Sequence, residues 1–160
     1  MTTQFSIPEN ALLVKETEPF TALCFTTRAT LRTLDQHNYV PEQLYVEAER
    51  LGVAPVGPIQ YVYTGVTGDE TNEFQLEIAL PVEETKREPS EFTYRTFEPF
   101  RHVSYTYTGA WDTFAAVYDA LFAEFYRQGY QTDRRVREVY TVVDFENREN
   151  CVTEFQIGLV

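Results

Sequence analysis

The strongest constraint on how this chain can fold is that it repeats itself. Glu18-Pro19-Phe20 returns in the second half as Glu98-Pro99-Phe100. Each copy leads into an extended stretch, residues 21–26 and 101–106, and then into a helical segment closed by a glycine, Gly52 or Gly129. Each half closes on a similar strand, Glu73-Phe74-Gln75-Leu76 and, at nearly the same offset, Glu154-Phe155-Gln156-Ile157. Agreement of order, spacing and local sequence indicates two copies of a strand–helix–strand–strand unit. The copies cover about 11–82 and 92–160, with the charged, Pro89-containing run 83–91 as the linker. A chain of 160 residues is one domain's worth. The halves are therefore expected to share one domain, 1–160, in which βαββ modules related by a pseudo-twofold axis join their sheets.

Periodicity fills in the unit. Phe114, Val117, Tyr118, Leu121, Phe122 and Phe125 form an apolar helical stripe, with Asp112 or Thr113 as cap and Gly129 as stop. In the first half Pro41 suits a first helical turn, and Leu44, Tyr45, Ala48 and Leu51 make a shorter stripe before Gly52. Ile59, Tyr61 and Tyr63 share one strand face; Phe74, Leu76, Ile78 and Leu80 share another, across a turn at 65–69. The polar run 144–150 separates the last two strands. The expectation is an α+β domain, an antiparallel sheet with helices on one side and a ligand cleft between the halves.

Charge and composition remove several functions. The 25 acidic residues against 13 basic ones give a formal charge of −12, which repels phosphate and argues against nucleic-acid binding. Cationic ligands suit such a chain better. Met1–Phe5 shows no basic region followed by an apolar run, and no stretch is long and apolar enough to span a membrane. Cys24 and Cys151 make no disulfide framework, and His37 and His102 give no zinc-type or haem-ligand spacing. A reduced, cytoplasmic protein without metal or cofactor is expected. Glu77 shares the parity of Glu73 and Gln75 and reads as solvated; Cys151, beside the polar loop, reads as exposed.

One acid stands out. Val136, Glu138, Tyr140 and Val142 share a strand face, which puts a carboxylate in an apolar and aromatic row. The equivalent first-half position is Ile59. The opposite parity, with Val139, Thr141 and Val143 buried and Glu138 in water, fits the residues equally well.

The motif order settles which reading to expect. Gly57-Pro58-Ile59-Gln60-Tyr61 and Phe74-Gln75-Leu76-Glu77-Ile78 occur in the first half; Thr108-Gly109-Ala110-Trp111, Gly129-Tyr130 and Arg137-Glu138-Val139-Tyr140 occur in the second. Over residues 10 to 160 this order resembles the GyrI-like family, effector-binding domains also found fused to bacterial multidrug-sensing transcription activators. The resemblance departs at the segment before Gly109, Tyr105-Thr106-Tyr107-Thr108, where the family commonly carries a histidine; His102 does not replace it. It implies a cleft for small, often aromatic or cationic molecules, with Glu138 as its deep polar group. The chain reads as a stand-alone version, with no room for a DNA-binding module.

The expected site is therefore Glu138 as anchor, walled by Tyr140, Tyr105, Tyr107, Tyr61, Tyr63 and Trp111. Stacking of a cation on such rings contributes roughly 0.5–2 kcal/mol per contact. The leading function is binding of hydrophobic, aromatic or cationic compounds for sensing or sequestration. The alternatives are hydrolysis of strained, cyclopropane-type electrophiles with Glu138 as general base, and an acidic protein-interaction module such as a topoisomerase inhibitor. A regulator protein or a second copy of the chain are the further partner classes considered.

Overall fold

A computed structural model describes residues 5–85 and 87–160. The reading of the chain's first residues as lacking a leader, and the part of the linker at Lys86, fall partly outside the described residues. Eight strands, β1 (Leu13–Thr17), β2 (Phe20–Ala29), β3 (Gln60–Thr64), β4 (Phe74–Pro81), β5 (Thr93–Phe97), β6 (Phe100–Thr108), β7 (Thr132–Val142) and β8 (Val152–Leu159), form one sheet with two helices, α1 (Val40–Leu51) and α2 (Phe114–Arg127). The sheet order is β1-β6-β8-β7-β3-β4-β2-β5, and every pairing is antiparallel. The chain is an α+β domain in which the order ββαββ occurs twice. The first strand of each ββαββ run pairs with the second: β1 with β6 of the other run, β5 with β2.

Alternation along the strands gives the sheet two different faces. Cross-strand register lines up Phe25, Ile78, Tyr61, Glu138, Phe155 and Tyr105 in one row, and directly opposed side chains share a face. Both helices cover that face. Leu44, Ala48 and Leu51 of α1 pack with Leu23, Leu76, Ile78 and Leu80. Val117, Leu121 and Phe125 of α2 pack with Val103, Phe155 and Ile157. The helix ends differ in part from expectation. Gly52 adopts the left-handed conformation (φ 72°) at the end of α1, as a glycine can without a Cβ clash. Neither Asp112 nor Thr113 makes a side-chain cap to α2; a short 3-10 turn, Trp111–Thr113, leads in instead.

The stripe of α1 needs one correction. Tyr45 is 46% exposed, whereas Glu47 is buried. Arg50 pairs with Glu47 at 2.6 Å and the Ser90 N–H donates to it at 2.8 Å, so the residues after β4 dock on the helix through this acid. Those contacts hold its carboxyl down at about 2.

The opposite face is not solvated either. A second row runs Glu77, Val62, Arg137, Gln156 and Ser104. The Arg137 guanidinium lies 4.0 Å from the Phe100 ring centroid and 5.4 Å from that of Phe97. Since β6 and β5 stand towards opposite ends of the sheet, the sheet must curl to bring both rings over β7. Glu77, expected in water, is only 1% exposed and pairs with Arg95 inside this curl. Cys151 is also buried, its thiol donating to the Asp144 carbonyl at 3.6 Å.

Candidate functional site

Where the two helix-covered clusters meet, above the β3–β7 seam, the sheet carries Glu138. It is 4% exposed. Tyr61 lies directly opposite on β3, Tyr63 diagonally, and Tyr140 two residues on along β7. Three hydroxyls converge on the carboxylate. Tyr63 and Tyr140 donate to Oε1 at 2.8 and 2.6 Å, and Tyr118 reaches down from α2 to Oε2 at 2.5 Å. A carboxylate offers about four acceptor positions. Two donors occupy Oε1 and one occupies Oε2, so one position on Oε2 is left for a further donor or cation.

Electrostatics at the site balance burial against hydrogen bonding. Burial raises the Glu138 carboxyl above its ordinary value, and the hydroxyls of Tyr118, Tyr140 and Tyr63 pull it back only in part. The same three phenols are pushed well above 10, first by burial and then by the neighbouring carboxylate. Tyr61, likewise buried beside Glu138, is raised to about 12. The phenols therefore stay protonated as donors.

Above this floor opens a cleft of about 2080 Å³. Tyr61, Tyr63, Glu138, Tyr140 and Trp111 all line it. Trp111 meets Tyr140 edge to face at 5.5 Å, and its buried indole Nε1 has no hydrogen-bond partner among the described residues. Phe145 meets Trp111 in turn at 5.8 Å and is largely exposed at the rim.

Tyr105 and Tyr107 do not line the cleft. Both sit on the helix-covered face, but on β6, separated from β7 by β8. There α2 covers them, and they pack against its cluster. Tyr107 also shares a 2.7 Å hydrogen bond with Thr113 and stacks edge to face on Phe5 and Phe114. Conversely, sequence reasoning missed Tyr118, which it placed in the core stripe of α2. Its position at the edge of that stripe, beside the Phe114 and Phe122 that also line the cleft, was the available signal. Among the described residues no group of His, Cys, Asp and Glu side chains could hold a metal ion.

The curled antiparallel sheet and its two helices frame the cleft above Glu138. The chain belongs to the GyrI-like family: the profile of the GyrI-like small molecule binding domain matches residues 14–159. No curated protein matches the sequence. Among solved structures, the EcmrR C-terminal domain is similar with TM-score 0.76 at 15% identity, over 93% of this chain and 96% of that one. SAV2435 bound to tetraphenylphosphonium is similar with TM-score 0.64 at 13% identity, over 93% of each chain. A hydrolase from Listeria innocua is similar with TM-score 0.57 at 12% identity, over 96% of this chain and 94% of that one. Likeness at these identities speaks for the fold.

Proposed function

We propose that this domain holds a hydrophobic or aromatic cation in the cleft above Glu138, for sensing or sequestration. The observation that carries the reading is the buried carboxylate with three tyrosine donors and one unfilled acceptor position, on the floor of an aromatic-walled cleft. A cation there restores the charge balance that burial disturbs, and ring faces nearby add their own attraction. Tyr61, Tyr140 and Trp111 serve as walls. Asp35, Glu42 and Asp119 on the cleft lining and the overall −12 charge favour the approach of cations. The tetraphenylphosphonium carried by SAV2435 supports the same ligand class.

Thermal unfolding against a panel of lipophilic cations tests the proposal. A ligand at 100 times its Kd adds about 2.7 kcal/mol of stability to the folded state. No shift with any cation of the panel, tetraphenylphosphonium included, overturns it.

A second reading uses the same acid. Burial raises the Glu138 carboxyl, and its free acceptor position could take a proton from water attacking an electrophile, with the phenols as hydrogen-bond donors. The Listeria innocua hydrolase shares the fold. Mass spectrometry of cyclopropane-type electrophiles incubated with the protein and with Glu138→Gln decides; hydrolysis must appear with the first and vanish with the second.

A further inference from the structure

Arg134 lines the same cleft as Glu138, yet among the described residues its guanidinium has no ion pair or hydrogen bond. Neither Asp119 nor Glu70, both on the cleft wall, pairs with it; Glu70 is bound to Arg32. Arg134 is also the one non-glycine residue with positive φ, 71°, among the described residues. For an L residue that backbone is costly, and a structure keeps it only where surrounding contacts impose it.

Those contacts form a built feature. Between Thr132 and Val136, β7 takes four steps where β8 takes two, from Leu159 to Ile157. The extra length is held in place on every side. The Arg134 N–H donates to the Thr132 hydroxyl at 3.0 Å, and the Gly65 N–H donates to the Arg134 carbonyl at 2.9 Å. The Arg135 N–H donates to Asp133 at 2.9 Å, while its guanidinium pairs with the same carboxylate at 2.6 Å. Gly158 leaves the space for Asp133, because a Cβ there would collide with its carboxylate. A glycine at position 134 would satisfy the same backbone without strain. The fold instead places an unpaired cation there, on the wall of the cleft.

We propose that Arg134 is a second anchor of this cleft, receiving an anionic group on a ligand whose cationic end lies at Glu138. The inference rests on the cation reading above and narrows its ligand to an elongated zwitterion. Four residues along a strand separate the two Cα atoms by at most about 13 Å, and the reach of the arginine side chain adds to the span open to a ligand. The cleft, at about 2080 Å³, exceeds the roughly 300–1,000 Å³ of a common small-molecule pocket and has room for such a length. Position 134 then discriminates between cations of similar bulk.

The test is calorimetric titration at pH 7.5 with 11-(trimethylammonio)undecanoate and its methyl ester, which differ in the distal charge. The wild-type protein should bind the free acid about tenfold more tightly than the ester. Arg134→Gln should bring the two together by weakening the acid alone. Arg148→Gln, which removes another cleft arginine on unstrained backbone, should preserve the preference. Glu138→Gln should weaken both ligands by the same factor. Binding of both ligands with equal affinity by the wild-type protein overturns the role of Arg134 and leaves the cation site standing; binding of neither overturns both. Arg134→Gly supplies a separate reading: its thermal midpoint should rise while the preference disappears, and a fall in the midpoint would refute the claim that strain is retained at this position.

Discussion

Replacing Glu138 by glutamine removes a charge while keeping the shape of the side chain, and the structure fixes the direction of two effects. The first is on binding. A ligand cation resting on the free Oε2 position stands about 5 Å from the centre of charge, where Coulomb attraction at an effective dielectric constant of 20 is worth about 3 kcal/mol. Water in an open cleft reduces that, so the expected loss for tetraphenylphosphonium is about 10- to 100-fold in Kd. Attraction from the Tyr61, Tyr140 and Trp111 rings survives the change, which is why binding weakens without vanishing. A neutral analogue, triphenylphosphine oxide, should lose no affinity in the variant, because its oxygen is an acceptor that gains nothing from a carboxylate. The second effect is on stability. Burial leaves Glu138 with a carboxyl raised above its ordinary 4.5, so ionisation favours the unfolded chain. Its contribution to stability is greatest at acid pH and declines as pH rises from about 4.5 through the raised value. Cation affinity runs the other way, falling as pH drops through that same value. The glutamine variant should show neither dependence and should melt no lower than wild type at pH 7.5, provided the Tyr118 hydroxyl turns to accept from the new amide. Calorimetry with the two phosphorus compounds and melting curves from pH 4.5 to 8 measure all of this. Equal tetraphenylphosphonium affinity in the two proteins would refute the reasoning.

Three other outcomes test the frame around the site. Phe125→Ala, at a fully buried ring in the α2 cluster, should cost about 3–5 kcal/mol in urea denaturation. Arg95→Ala strands the buried Glu77 carboxylate and should cost about 2 kcal/mol, less than a fully buried pair because Arg95 is 46% exposed; adding Glu77→Gln should restore most of the loss. Cys24, buried and pushed up to about 12 by burial and by Glu77, should react with a disulfide reagent only in denaturant.

Much of this protein was legible in its sequence because its elements have clear periods. Alternation along β3 and β4 assigned Ile59, Tyr61, Tyr63 and Leu76 to faces, whereas on β7 it left two parities open and the family resemblance turned Glu138 inwards. The stripe of α2 was equally plain. What failed depended on the partner across each element. Alternation distinguishes two faces but does not say that the second is wet. Glu77 read as a solvated charge, but the curl of the sheet buries it against Arg95 and brings Phe97 and Phe100 over Arg137 in the same row. Tyr105 and Tyr107 lie on the same face as Glu138, yet on β6 they pack, partly buried, against the α2 cluster instead of the cleft. Tyr118, one helical position along from the buried Val117, lies at the boundary of that coverage and reaches the acid instead.

The strain at Arg134 was beyond sequence reasoning for a different reason. Its neighbours Thr132, Asp133 and Arg135 are ordinary strand-end residues, and no turn signal marks the bulge. The cue lies on another strand, where Gly158 interrupts a run of side chains to admit Asp133. The second half of the chain alone supplies both charges: in the alignment that pairs Tyr140 with Tyr61, the first-half counterparts of Glu138 and Arg134 are Ile59 and Pro55. The ring of Pro55 locks its φ on the negative side, so it cannot take the conformation that Arg134 adopts. A cleft between two similar halves thereby acquires polarity along one strand, β7, with a buried anion in its middle and a cation towards its start. On the proposal made above, the two ends of a ligand would meet charges whose backbone geometry is fixed before the ligand arrives.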